Sequence, residues 1–155
     1  MRKAADLFRD IKFNTITCVG NTIAHLGSPL EIRGFFESMY ELLDDGGAFA
    51  GQLVNYEKVF AEKTGPFNVI ENEDFKFIRK NRIKEENGKV EFSGELILKK
   101  EGASHFNRIE LYPFVKDTIE KELTHIGFSS IGFFGGFDLG EYESKSDALI
   151  FKAGK

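Results

Sequence analysis

The spacing of apolar and polar positions changes along the chain, and the changes predict its elements. Phe13-Asn14-Thr15-Ile16-Thr17-Cys18-Val19 is rich in β-branched and apolar residues and runs into Gly20-Asn21. This predicts a buried strand closed by a tight turn. Ser28-Pro29-Leu30-Glu31 then reads as a helix start, with Ser28 as N-cap, Pro29 at the first helical position and Glu31 completing a capping box. Ile32, Phe35, Phe36, Met39 and Leu43 follow at helical spacing, and Asp44-Asp45-Gly46-Gly47 predicts the stop, with glycine in the left-handed conformation at the helix end. Ala48 to Val54 reads as a second strand. Strand, capped helix, glycine turn and strand make a βαβ unit, hence a parallel sheet with a right-handed crossover.

From Phe75 the period shortens to two. Phe75 to Lys84 reads as a strand with interleaved charges, and Glu85-Glu86-Asn87-Gly88 as a turn. Across Lys89 to Lys100, Val90, Phe92, Leu96 and Leu98 fall on one face, and Glu91, Ser93 and Glu95 on the other. With His105 to Tyr112 this predicts an antiparallel three-stranded meander, one face apolar and one wet. Pro113 is expected to start a last helix striped by Val115, Ile119, Leu123 and Ile126 and capped by Gly127. Phe128 to Phe134 and Asp147 to Ala153 read as the final strands, joined by a glycine-rich loop long enough to have a role.

Composition narrows the function classes. The 155 residues are 41% hydrophobic and 30% charged, which is globular composition. A net charge of −4 without a basic run argues against nucleic acid as a partner. The 17 Phe and 4 Tyr are read as core rather than as a base-stacking platform. The single cysteine, Cys18, excludes an internal disulfide and is read as a small core residue, not a nucleophile. His25, His105 and His125 lie far apart, so no metal site is expected. No apolar run approaches the ~20 residues of a membrane span, and Met1 to Asp6 lacks a signal-peptide core, so no membrane partner and a cytoplasmic location are expected.

Phe13 to Leu26, with its Cys-Val-Gly-Asn-Thr-Ile-Ala-His-Leu run, resembles the fourth strand and following turn of class I S-adenosylmethionine-dependent methyltransferases, closest to the glycine/sarcosine N-methyltransferase-like branch. Leu42-Leu43-Asp44-Asp45-Gly46-Gly47 resembles the turn before that family's strand five, Gln52-Leu53-Val54-Asn55-Tyr56 the end of strand five, and Ile126-Gly127-Phe128 the approach to strand six. The resemblance covers nearly the whole chain in order. It implies an α/β fold: a partial Rossmann-like methyltransferase sheet of strands four to seven, in the order four-five-seven-six with the last strand antiparallel. It also implies a single partial domain over 1–155, with the antiparallel meander inserted over 67–112.

The departures from the family pattern matter as much. The glycine-rich loop that wraps the cofactor's methionine part has no counterpart here, nor does the acidic residue that holds the ribose. Met1-Arg2-Lys3 resembles the stretch just before strand four. About three strands with their helices, on the order of 80–100 residues, have no match in this chain. The resemblance therefore implies a methyltransferase with S-adenosylmethionine as cofactor and a small-molecule methyl acceptor, here as an N-terminally truncated chain, weak or inactive alone. The alternative is a non-catalytic methyltransferase-like module that pairs through its sheet edge.

By the same resemblance, Cys18, Val19, Asn21 and His25 are the cofactor-side positions, and Asn21, Asn55, Tyr56 and Tyr112 the substrate-side positions. No catalytic residue is assigned. Val54 stands where glycine-methylating members carry a carboxylate-binding arginine, which argues against glycine or sarcosine; Arg79, Arg82 and Arg108 are the candidates to replace that charge, against a plain solvated role. Without a strand beside it, Phe13 to Val19 is expected to be an exposed apolar edge through which two copies pair as a homo-oligomer.

Overall fold

The computed structural model describes residues 7, 8, 10–63 and 68–155. Met1-Arg2-Lys3 and position 67, the expected first residue of the insertion, lie outside the described residues. In chain order the elements are β1 (Phe13–Cys18), a 3₁₀ turn (Thr22–His25), α1 (Pro29–Leu42), β2 (Leu43–Val54), α2 (Tyr56–Glu62), β3 (Asn68–Glu71), β4 (Phe75–Ile83), β5 (Val90–Leu98), β6 (Ala103–Leu111), α3 (Lys116–Ile126), β7 (Ser129–Phe134) and β8 (Ala148–Gly154). The described residues form two compact units, one of those up to 55 together with 114–155 and one of those between 56 and 113.

The first unit holds a sheet of order β1-β2-β8-β7, in which β1 and β2 are parallel and β8 runs antiparallel to both its neighbours. The start of α1 is the one the residues dictate. The Ser28 hydroxyl accepts from the Glu31 amide at 3.3 Å, and Pro29 takes the first turn. The Glu31 carboxylate, however, reaches back to the Gly27 amide at 2.8 Å rather than to that of Ser28, closing the box one residue early.

The helix end differs from expectation. α1 stops at Leu42, and β2 begins at once with Leu43 rather than at Ala48. Gly46 does adopt the left-handed conformation, at φ +76, but inside the strand, where the pairing with β1 slips between Phe13–Leu43 and Thr15–Ala48. The helix end is instead satisfied by Lys155, whose Nζ donates to the carbonyls of Tyr40 at 2.9 Å and Leu43 at 2.8 Å, a cation placed at the negative end of the helix dipole.

The registers sort the side chains of this sheet onto two faces. Phe49, Gly51 and Leu53 share one with Ala153, Phe151 and Leu149. Phe35 and Phe36 of α1 pack edge-on against Phe49, and Phe128, just after α3, meets both Phe49 and Tyr40. Both helices therefore cover this face, and its aromatic cluster is the core. Gly51 is required there, because a Cβ would lie 2.3 Å from Cζ of Phe151. The opposite face carries Thr15, Thr17, Ala48, Ala50, Gln52, Val54, Ala148, Ile150 and Lys152. Both threonines and Lys152 are exposed, Ile150 is buried and the other side chains are half-buried, and neither helix of the unit lies on it. Sheets with parallel pairs are ordinarily covered on both faces. β1 pairs with β2 alone among the described strands and has no buried residue, so Phe13 to Val19 is the exposed edge expected from the resemblance and not the buried strand that its composition alone suggests.

The second unit is a four-stranded antiparallel sheet of order β3-β4-β5-β6 with the short helix α2. The expected meander of three strands gains β3. The Asn72 side chain forms the turn that joins it to β4, its Oδ1 accepting from the amides of Asp74 and Phe75 at 2.9 and 2.8 Å. α3 begins at Lys116 rather than at Pro113, with Val115 as N-cap, and ends at Gly127, whose φ of 110 is the left-handed cap expected.

Candidate functional site

The carboxyl ends of β1 and β2 are joined by two side chains. After Cys18 and the exposed Val19 the chain turns sharply: Gly20 and Asn21 both take the left-handed conformation, at φ 76 and 62. Asparagine tolerates that region better than other residues with a Cβ. Its side chain then reaches across to β2, where Oδ1 accepts from the Val54 amide at 3.0 Å. In return Gln52 Oε1 accepts from the amides of Gly20 at 2.7 Å and Asn21 at 3.3 Å. The Thr22 hydroxyl closes the turn by donating to the Val19 carbonyl at 2.8 Å.

Asn55, immediately past β2, is buried and ties down the loop between β7 and β8. Its Nδ2 lies within hydrogen-bonding distance of three carbonyls, those of Ser144 and Ser146 at 2.9 Å and of Glu143 at 3.3 Å, and its Oδ1 accepts from the Tyr142 hydroxyl at 2.9 Å. The glycine-rich loop is thus held to the end of β2 by one side chain.

Of the positions singled out in the sequence, Cys18, Val19 and Asn21 come together at this end of the sheet, with Asn55 just beyond β2. Cys18 is half-buried, and burial pushes its thiol above the ordinary value, so it is poorly suited to act as a nucleophile. His25 is the exposed last residue of the 3₁₀ turn. Tyr56 and Tyr112 belong to the second unit: Tyr56 opens α2 and is buried, and Tyr112 follows β6 half-buried. Sequence reasoning missed Gln52. A polar residue on a half-buried strand face, two before the strand end, was its only signal.

The side-chain oxygens of Asn21 and Gln52 are committed to backbone amides of this chain. The turn presents Val19, Gly20 and backbone groups outward, and these residues do not by themselves form a cradle for a charged nucleoside cofactor. No group of three or more metal-ligating side chains occurs among the described residues, and no helix of the described residues is long and apolar enough to cross a membrane.

No protein-family model matches the chain, and no curated protein matches its sequence. Solved structures do match its fold. An S-adenosylmethionine-dependent methyltransferase from Clostridium acetobutylicum superposes with a TM-score of 0.79 at 15% identity, covering 94% of this chain and 59% of its own. The CcbJ methyltransferase of Streptomyces caelestis gives 0.77 at 13%, covering 93% and 57%. CalS10 of Micromonospora echinaspora, an amino pentose methyltransferase solved with S-adenosylmethionine bound, gives 0.63 at 15%, covering 93% and 58%. What is shared at these identities is the fold, that of the class I S-adenosylmethionine-dependent methyltransferases. The chain spans less than two thirds of the length of each of these structures.

Proposed function

We propose that this chain is the carboxyl-terminal portion, family strands four to seven, of a class I domain that transfers a methyl group from S-adenosylmethionine to a small molecule. In this reading a second stretch of polypeptide completes the sheet beside β1, covers the open face and grips the cofactor. The observation that carries it is the juxtaposition of the Asn21–Gln52 clamp with the β1 edge and with a sheet face on which neither helix of the unit lies. In open α/β sheets ligands lie outside the carboxyl ends of the strands, where the clamp stands. The missing cover is what the fold's remaining strands and helices would supply. The cofactor in CalS10 and its amino pentose substrate support both halves of the reading.

Within it, Cys18, Val19, Asn21 and His25 are the cofactor-side positions. Asn21, Asn55, Tyr56 and Tyr112 are the substrate-side positions, with Asn21 and Asn55 acting as positioning residues through the backbone they hold. A second copy paired edge to edge, the homo-oligomer expected from the sequence, would extend the sheet and leave the open face uncovered. The completing polypeptide is therefore the better fit.

The test is photolabelling with tritiated S-adenosylmethionine, applied to the isolated chain and to the assembly recovered with it under native conditions from its own cells. Labelling of the assembly and not of the isolated chain is expected. Micromolar saturable binding by the isolated chain would overturn the shared-cofactor reading. An assembly that takes no label would leave the chain as a non-catalytic pairing module, the reading favoured by its committed polar groups.

A further inference from the structure

The sheet of the second unit keeps its charged side chains on one face, with one exception. Along β4 and β5 the registers pair Phe75 with Leu98, Phe77 with Leu96, Arg79 with Gly94, Asn81 with Phe92 and Ile83 with Val90. β6 adds Ala103, His105, Asn107, Ile109 and Leu111 to that face. Lys76, Lys80, Arg82, Glu91, Glu95, Arg108 and Glu110 all fall on the other face, where Glu71 pairs with Lys76 and Glu91 with Arg108. Arg79 is thus the one permanently charged group of β3 to β6 on the apolar face, and the strands bring no carboxylate there.

Its setting is specific. Gly94 lies directly across from it, and a Cβ at Gly94 would come within 3.0 Å of Cε2 of Phe77. The glycine therefore lets the Phe77 ring lie over the neighbouring strand, and Cζ of Arg79 sits 5.9 Å from the centroid of that ring. Nε of Arg79 is buried and has no hydrogen-bond partner among the described residues. A buried guanidinium donor without an acceptor is an unfavourable arrangement that a ligand can relieve. The guanidinium fork matches a planar or tetrahedral oxyanion through two parallel N–H donors. Phe77, with Phe75, Leu96 and Leu98 beyond it on the same face, would accept the body that carries the anion.

We propose that the apolar face of β4 to β6 binds a small molecule made of a flat apolar body bearing a carboxylate or phosphate, with Arg79 as the partner of the anion. The proposal stands independently of the methyl-transfer reading, since it rests on one sheet of the second unit. Its test uses 2-naphthoate and 2-naphthyl phosphate as probes, with the neutral 2-naphthamide as reference, titrated into the whole chain. Binding is followed by calorimetry and by the NMR signal of the Arg79 Nε–H group. Arg79→Met is compared with Arg82→Met, which removes an exposed charge from the opposite face.

At least one anionic probe is expected to bind tenfold or more tightly than the amide and to shift the Arg79 Nε–H signal. Arg79→Met should erase that preference while leaving naphthamide binding unchanged, and Arg82→Met should leave both intact. Preference for naphthoate assigns a carboxylate ligand, preference for naphthyl phosphate a phosphate ester. Equal binding of amide and anions, equal losses in the two variants, or no saturable binding of either anion at millimolar concentration would overturn the proposal.

Discussion

Asn21 and Gln52 each close the end of the other's strand: Asn21 Oδ1 accepts the Val54 amide at 3.0 Å, and Gln52 Oε1 accepts the Gly20 amide at 2.7 Å. Asn21→Gly keeps the left-handed backbone and removes only the side-chain bond, so about 1 kcal/mol of stability should be lost in urea unfolding. Asn21→Ala should lose about 1 kcal/mol more, because alanine is strained at φ 62. Combined with Gln52→Ala, the Asn21→Gly loss should fall short of the sum, since the two bonds hold one junction.

Asn55 holds a loop by donating to backbone carbonyls. Asn55→Asp removes the donors and sets carboxylate oxygens among carbonyl oxygens, so a loss of about 2–3 kcal/mol is expected. The more telling measurement is limited proteolysis. Cleavage between residues 135 and 147 should appear in this variant well before any cut in β2 or β8.

Glu122 is buried on α3 and held by both Nε and Nη2 of Arg33, at 2.7 and 3.1 Å. The hydrogen bond from Arg33 holds its carboxyl below the usual range, against the opposing effect of burial. A carboxylate with a lowered folded-state pKa stabilises the fold fully above its unfolded value, roughly 4.3, and that contribution fades as pH falls through the lowered value. Glu122→Gln should therefore lower the melting midpoint at pH 7 by about 2–4 °C and flatten the melting curve's dependence on pH below about 4.5. Glu71 and Glu110, also lowered by lysine partners, keep part of the acid dependence in the variant, so the test is the difference between the two pH profiles.

Gly51→Ala places a methyl group against the Phe151 ring and should destabilise by about 1–3 kcal/mol through overpacking. Phe151→Leu in the same chain should recover part of that loss, which a merely local backbone effect at position 51 would not allow. Thermal melts of the two single variants and the double variant decide it.

β1 carries no lysine, proline or charge between Phe13 and Val19 to discourage strand pairing. Light scattering on the isolated chain should show self-association that grows with concentration, and Thr15→Lys with Thr17→Lys should suppress it. A chain that stays monomeric at high concentration would mean that the open edge is not adhesive.

The regular elements were legible because their signals are local. Ser28-Pro29 fixes the start of α1, Gly127 fixes the end of α3, and the alternation in β5 assigns each residue its face. The misreadings involve competition between elements. Gly46-Gly47 looks like a helix stop, yet Lys155, distant in sequence, caps α1 and leaves the glycines to form an irregularity in β2. β3 spans only Asn68–Glu71, too short to show a period, although Asn72 at its end was a usable turn signal. The clamp was half legible. Asn21 stood out beside Gly20, whereas Gln52 acquires its partner only when β1 and β2 pair. Arg79 could not be told from Arg82 by composition, because what separates them is the face each occupies.

The sheet face of the first unit on which neither helix lies also bears on how its stability can be described. A body that binds only the folded form adds RT ln(1 + [L]/Kd), about 2.7 kcal/mol at a hundredfold excess over the dissociation constant. In the proposed assembly the melting temperature of this unit is then a function of how much of the completing polypeptide is present. On that proposal a value measured in isolation is a lower limit, and the abundance of the chain in the cell would rise and fall with that of its complement.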